Sequence, residues 1–124
     1  MALNAFDMRA GAPDVVAHVI RLLGTGAANF TKQVGEGVTV VRSGTGAHTI
    51  TWADNPGTYL GWSPAFGAAT PADLAGHTAV REVYVAATKS MAFTIYNASF
   101  AAHDLEADEY IDLTIIFRRT AVTG

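Results

Sequence analysis

VTVVRSGTGAHTITWADNPGTYLGW, running from Val38 to Trp62, is the stretch that decides the fold. Two short β-type runs, residues 38–42 and 48–52, meet at Ser43-Gly44-Thr45-Gly46, where glycine supplies the backbone freedom a tight reversal needs. A second turn, Asp54-Asn55-Pro56-Gly57, follows at once. Between the turns Ile50 and Trp52 point one way while Thr49 and Thr51 point the other, the period of a half-buried strand. Short alternating runs separated by turn residues are the pattern of a compact all-β domain.

Working outward, the same period recurs. Near the C-terminal end Ile111, Leu113, Ile115 and Phe117 alternate with Tyr110, Asp112, Thr114 and Arg118, which predicts a strand with one core face. Residues 79–86 and 91–98 predict a hairpin around Thr88-Lys89-Ser90, with Met91, Phe93 and Ile95 sharing a face. Val15 to Leu23 fits a helical face, with Asp14 as a cap and Gly24 as a stop. Its β-branched residues and short length favour a buried strand instead. A loop with Gly24, Gly26 and Gly35 follows, with a short extended piece around Phe30, while residues 59–75 mix Pro, Gly and Ala and read mostly as loop.

The whole predicts an all-β domain, a β-sandwich or jelly-roll-like unit of about seven strands spanning residues 14–124. Residues 1–13 hold Leu3, Phe6 and Met8 without a period and close on Gly11-Ala12-Pro13. They read as an extended N-terminal arm, either a frayed tail or a segment that docks on a neighbour.

Composition narrows the function classes. A chain of 124 residues is one domain, long enough to bury a core without staples. It has no Cys, which removes disulfides, thiol catalysis and Cys-based zinc sites. With 8 Lys+Arg against 11 Asp+Glu there is no electrostatic footprint for nucleic acid. No apolar run approaches the ~20 residues of a membrane-spanning helix, and the first residues lack the pattern of a signal peptide. Hydrophobic residues at 50% against charged residues at 15% predict a surface that is partly covered, by other copies of the chain or by a larger body.

Reactive constellations are sparse. His18, His48, His77 and His103 have no partner at a zinc-site spacing, and no metal site is expected from them. Asp104, Glu106 and Asp108 place alternate carboxylates in an acidic loop that would offer oxygens to calcium. The loop lacks the Gly and the spaced Glu of an EF-hand, so a solvated loop is the reading preferred. The same carboxylates would be the residues of a small hydrolase if they faced one cleft. No Gly-x-Ser-x-Gly elbow is present, and Gly24-Thr25-Gly26 and Gly44-Thr45-Gly46 are turns without the pattern of a phosphate loop. The expectation is a protein that is not an enzyme and holds no cofactor.

Trp52 belongs to the core by its alternation. Tyr59, Trp62 and Phe66, in the turn- and Ala-rich stretch, either pin that stretch or mark a contact surface, because Trp and Tyr bury much area with few rotatable bonds. Leu3, Phe6 and Met8 of the arm join them as candidate interface residues.

The string TKQVGEGVTVVRSGTGAHTITWADNPGTYLGW resembles a motif of small structural proteins of tailed bacteriophages. The matching positions are Gly35, Gly37, Val38, Thr39, Val40, Arg42, Gly44, Gly46 and the turn Asn55-Pro56-Gly57-Thr58. The ending YIDLTIIFRR resembles the family's closing strand, through Phe117-Arg118. The resemblance spans roughly residues 17–119 and rests on turn glycines and strand patterns. It implies a virion protein. Together with the low charge and the arm, it points to a capsid decoration (cement) protein on the capsid surface, a homotrimer whose partner is the major capsid protein. The competing expectation is a tail- or fibre-associated module that binds host glycan through Tyr59, Trp62 and Phe66.

Overall fold

The computed structural model describes residues 15–119, and the arm with its candidates Leu3, Phe6 and Met8 lies outside them. Eight strands follow in chain order: β1 (Val15–Leu23), β2 (Thr31–Val34), β3 (Val38–Gly44), β4 (Ala47–Trp52), β5 (Thr58–Ala68), β6 (Thr78–Arg81), β7 (Ser90–Tyr96) and β8 (Glu109–Arg118). They form two antiparallel four-stranded sheets, in the orders β2-β1-β8-β5 and β3-β4-β7-β6. The all-β expectation of about seven strands holds, with eight among the described residues.

Alternation explains the core. Ile20 and Leu22 of β1, Ile50 and Trp52 of β4, Met91, Phe93 and Ile95 of β7, and Ile111, Leu113, Ile115 and Phe117 of β8 are all buried in one cluster. Each such side chain contributes roughly 1.5–3 kcal/mol by leaving water. Rings hold the sheets together: Trp52 and Phe117, from opposite sheets, meet edge to face at 5.2 Å between centroids. Trp62 of β5 tilts against Phe93 of β7 at 5.9 Å.

Two turns rest on glycine. Gly46, at φ +67°, passes so close to the backbone of Ile95 and His103 that a β-carbon would collide with both. Gly57, at φ +113°, runs against the backbone of Arg118 and Arg119. Both closures hold loops flat against the sheet ends, which a larger residue would pry open.

The structure corrects the sequence reading between residues 59 and 75. Instead of a loop, β5 occupies Thr58–Ala68, and only Pro71–Leu74 forms a short 3-10 turn. Tyr59 pairs with Phe117 and Gly61 with Ile116, so Leu60 is one residue too many for a regular ladder. This bulge reverses the alternation partway along the strand and hides its period. Pro64 is accommodated because β5 is an edge strand and needs no ladder hydrogen bond on its open side. The predicted hairpin is also shorter than expected: β6 ends at Arg81, and beyond it a hydrogen bond from the Glu82 N–H to the Ala92 carbonyl and a bridge from Val85 to Ser90 keep the two arms in touch.

Candidate functional site

The two sheets turn different surfaces outward. On the β3-β4-β7-β6 sheet the cross-strand partners Thr39 and Thr51, Val41 and Thr49, Thr49 and Ala92, and Thr94 and Val80 share the outer face. Side chains directly opposite in an antiparallel pair lie on the same side, so these residues make one continuous patch of Thr, Val and Ala. No charged residue stands among them, and Val41 and Val80 are 48% and 54% exposed. Just past β6, Glu82 donates its backbone N–H to Ala92 at 2.7 Å, so this exposed carboxylate stands opposite Ala92 at the border of the face.

On the β2-β1-β8-β5 sheet the corresponding surface is uncharged along Ala17 and Ile116, Val19 and Thr114, and Thr114 and Ser63, and carries an ion pair at one end. Arg21 of β1 donates from Nε and Nη2 to Asp112 of β8, at 2.7 and 3.0 Å. The guanidinium also lies over the Tyr110 ring, 5.1 Å from its centroid. Tyr110 covers Gly67 of β5, where a side chain would collide with the ring.

The acidic loop is structural rather than open. Asp104 accepts two hydrogen bonds from Arg42, at 3.1 and 2.9 Å, and a third from the Gly46 backbone N–H at 2.8 Å. The Arg42 hydrogen bonds hold its carboxyl below the usual carboxylate range. The aspartate thus pins the β3–β4 turn to the loop preceding β8. Glu106 and Asp108 are exposed, and among the described residues no group of three or more His, Asp or Glu could hold a metal ion. The calcium geometry outlined from Asp104, Glu106 and Asp108 is not formed in this loop, because Asp104 is already engaged.

The histidines separate into distinct environments. His48 is 1% exposed, and its ring is stacked between Phe30 at 4.1 Å and Phe93 at 5.5 Å. Neither ring nitrogen has a hydrogen-bond partner. Burial pushes its pKa down to about 4, because a charged imidazolium would lose its hydration there. His18 accepts a hydrogen bond at Nδ1 from the Trp52 indole, at 3.3 Å, and burial lowers its pKa as well. His77 and His103 meet edge to face at 5.0 Å.

The three aromatic candidates all lie on β5 and turn inward, half-buried against the core. Tyr59 touches Phe117, Trp62 touches Phe93, and Phe66 touches His77. Tyr59 alone borders a surface hollow, of about 430 Å³, which it shares with Val83 and Tyr84. Its ring is capped by Arg81, 4.2 Å from the centroid. The three rings therefore do not form one platform on which a sugar would stack.

Sequence reading missed the uncharged face as a unit. The outward Thr of 48–52 was visible, but only the register across four strands joins it to Val41, Ala92 and Val80. No protein-family model matches the chain, and no curated protein or solved structure is significantly similar to it.

Proposed function

We propose that this chain is a non-enzymatic structural protein of a tailed-phage virion, a decoration (cement) protein that binds the major capsid protein many times over the head surface. The observation that carries the reading is the uncharged outer face of the β3-β4-β7-β6 sheet. A face without charge is dried at low cost, whereas burying an unpaired Lys or Glu costs several kcal/mol. Thr hydroxyls supply adaptable hydrogen bonds around the Val contacts. Such a patch on a small, rigid sandwich suits a contact that is weak singly and firm when repeated across a lattice. The virion assignment itself comes from the resemblance at residues 35–58 and 110–119.

In this reading the sandwich acts as a spacer between adjacent capsid subunits. Its interior resists deformation because the rings of both sheets interlock, so outward pressure on the shell is carried by area buried at subunit boundaries. Quantitative mass spectrometry of purified particles tests the proposal. About one copy per capsid subunit supports it, and a handful per particle moves the protein to the tail or a vertex.

A further inference from the structure

One strand edge is left unpaired and unguarded among the described residues. Among the described residues, β2 pairs with β1 only through Arg21, Leu22 and Leu23, with a register shift between Arg21 and Leu22. Residues 15–20 of β1, Val-Val-Ala-His-Val-Ile, are paired to β8 on one side and to no described strand on the other. Unpaired edges invite another strand, and proteins blunt them with Lys, Pro, bulges or short length. The other edges are blunted in this way: Lys32 on β2, Arg42 and a register break on β3, Leu60 and Pro64 on β5, and a four-residue β6 with Arg81. Residues 15–20 carry none of these devices.

Two hollows flank this edge. One, about 460 Å³, is lined by Val19 and residues 32–36. The other, about 280 Å³, is lined by Val16 and His18 with Asp54, Asn55, Pro56 and Arg119. Val19 and the pair Val16 and His18 belong to opposite faces of β1, so the hollows open on opposite sides of the strand. A strand added here would gain main-chain hydrogen bonds along the edge and seat alternate side chains in the two hollows.

We propose that residues 1–14 of one copy of this chain add as a strand to the open edge of β1 in a second copy. The segment ends where β1 begins, and 14 residues span about 45 Å when extended, enough to reach a neighbouring sandwich. In an extended strand Phe6 and Met8 fall on one face and Leu3 on the other, which matches hollows on both sides of the acceptor. Each copy is then donor and acceptor at once, and a head-to-tail arrangement of this kind gives a ring, such as a trimer, where the rotation closes and a filament where it does not. The inference concerns how copies join and does not rest on the virion reading, so particle copy number can fail while this stands.

Sedimentation of the full-length chain tests it. The wild type is expected to be an oligomer. Val19→Lys, on a side chain 55% exposed, blocks the acceptor edge, and Phe6→Ser with Met8→Ser blocks the donor. Each variant is expected to associate at least about tenfold more weakly while keeping its circular dichroism. Mixing the two restores a one-to-one complex, since one retains the donor and the other the acceptor. A monomeric wild type, an oligomer indifferent to both changes, or a mixture that stays monomeric would each overturn the proposal.

Discussion

The two sheets of this sandwich contribute alike to the interior and differ on the outside. One turns out an Arg21–Asp112 pair backed by Tyr110 at one end of a row of Ala17, Val19, Thr114, Ile116 and Ser63, and satisfies its charges internally. The other turns out Thr39, Val41, Thr49, Thr51, Ala92 and Thr94, strand positions without charge that Glu82 borders beyond β6. Interior packing demands alternation from both sheets but places no demand on outward residues. The proposal that a partner docks on the β3-β4-β7-β6 face is therefore tested by changing outward residues of each sheet separately.

The largest effects should come from the interior that both sheets share. Phe93→Ala is expected to cost about 3–5 kcal/mol in chemical denaturation, since the ring is buried among residues of both sheets. Trp62→Ala should also lower stability, by less, because Trp62 is only half-buried. If Trp62→Ala abolished assembly and left stability untouched, its inward placement would be contradicted.

A second effect separates the interior from both surfaces by pH. His48 has a folded pKa near 4 against 6.5 when unfolded, so the unfolded chain takes up the proton first. Stability is full above about pH 6.5, falls as pH drops toward 4, and levels off below. The loss is at most about 3 kcal/mol, and less to the extent that solvent screens the site. His48→Phe should flatten the denaturation midpoint across this window, apart from the smaller slope in the same direction that His18 contributes. An unchanged slope would place the titrating group elsewhere.

The comparison of faces is sharpened by two matched charges. Thr51→Arg, on the uncharged face, should reduce occupancy of particles about tenfold or more, with stability changed by no more than about 0.5 kcal/mol. Ser63→Arg, outward on β5 of the other sheet, should change neither occupancy nor stability measurably. Equal loss from both would mean that the faces are not distinguished by a partner.

How far the sequence could be read depended on period and register. β4, β7 and β8 were legible because Ile50 and Trp52, Met91 to Ile95 and Ile111 to Phe117 alternate without interruption. β5 was not, since the extra residue Leu60 inverts the phase between Tyr59 and Trp62 and Pro64 argues against a strand unless its edge position is known. The same limit hid the Thr, Val and Ala face. Thr49 and Thr51 could be assigned outward from sequence alone, but their union with Val41, Ala92 and Val80 exists only through pairing between distant strands. The Arg42–Asp104 contact, 62 residues apart in the chain, was likewise outside any local pattern. The open edge of β1 depended on knowing where β2 stops.

The most direct measurement is the number of copies per purified particle for wild type and Thr51→Arg side by side, by quantitative mass spectrometry against the major capsid protein. A wild-type ratio near one per capsid subunit that collapses in Thr51→Arg is the result expected if the uncharged face is the docking surface of a decoration protein. A ratio of a few copies per particle, or an occupancy that Thr51→Arg leaves intact, would contradict it.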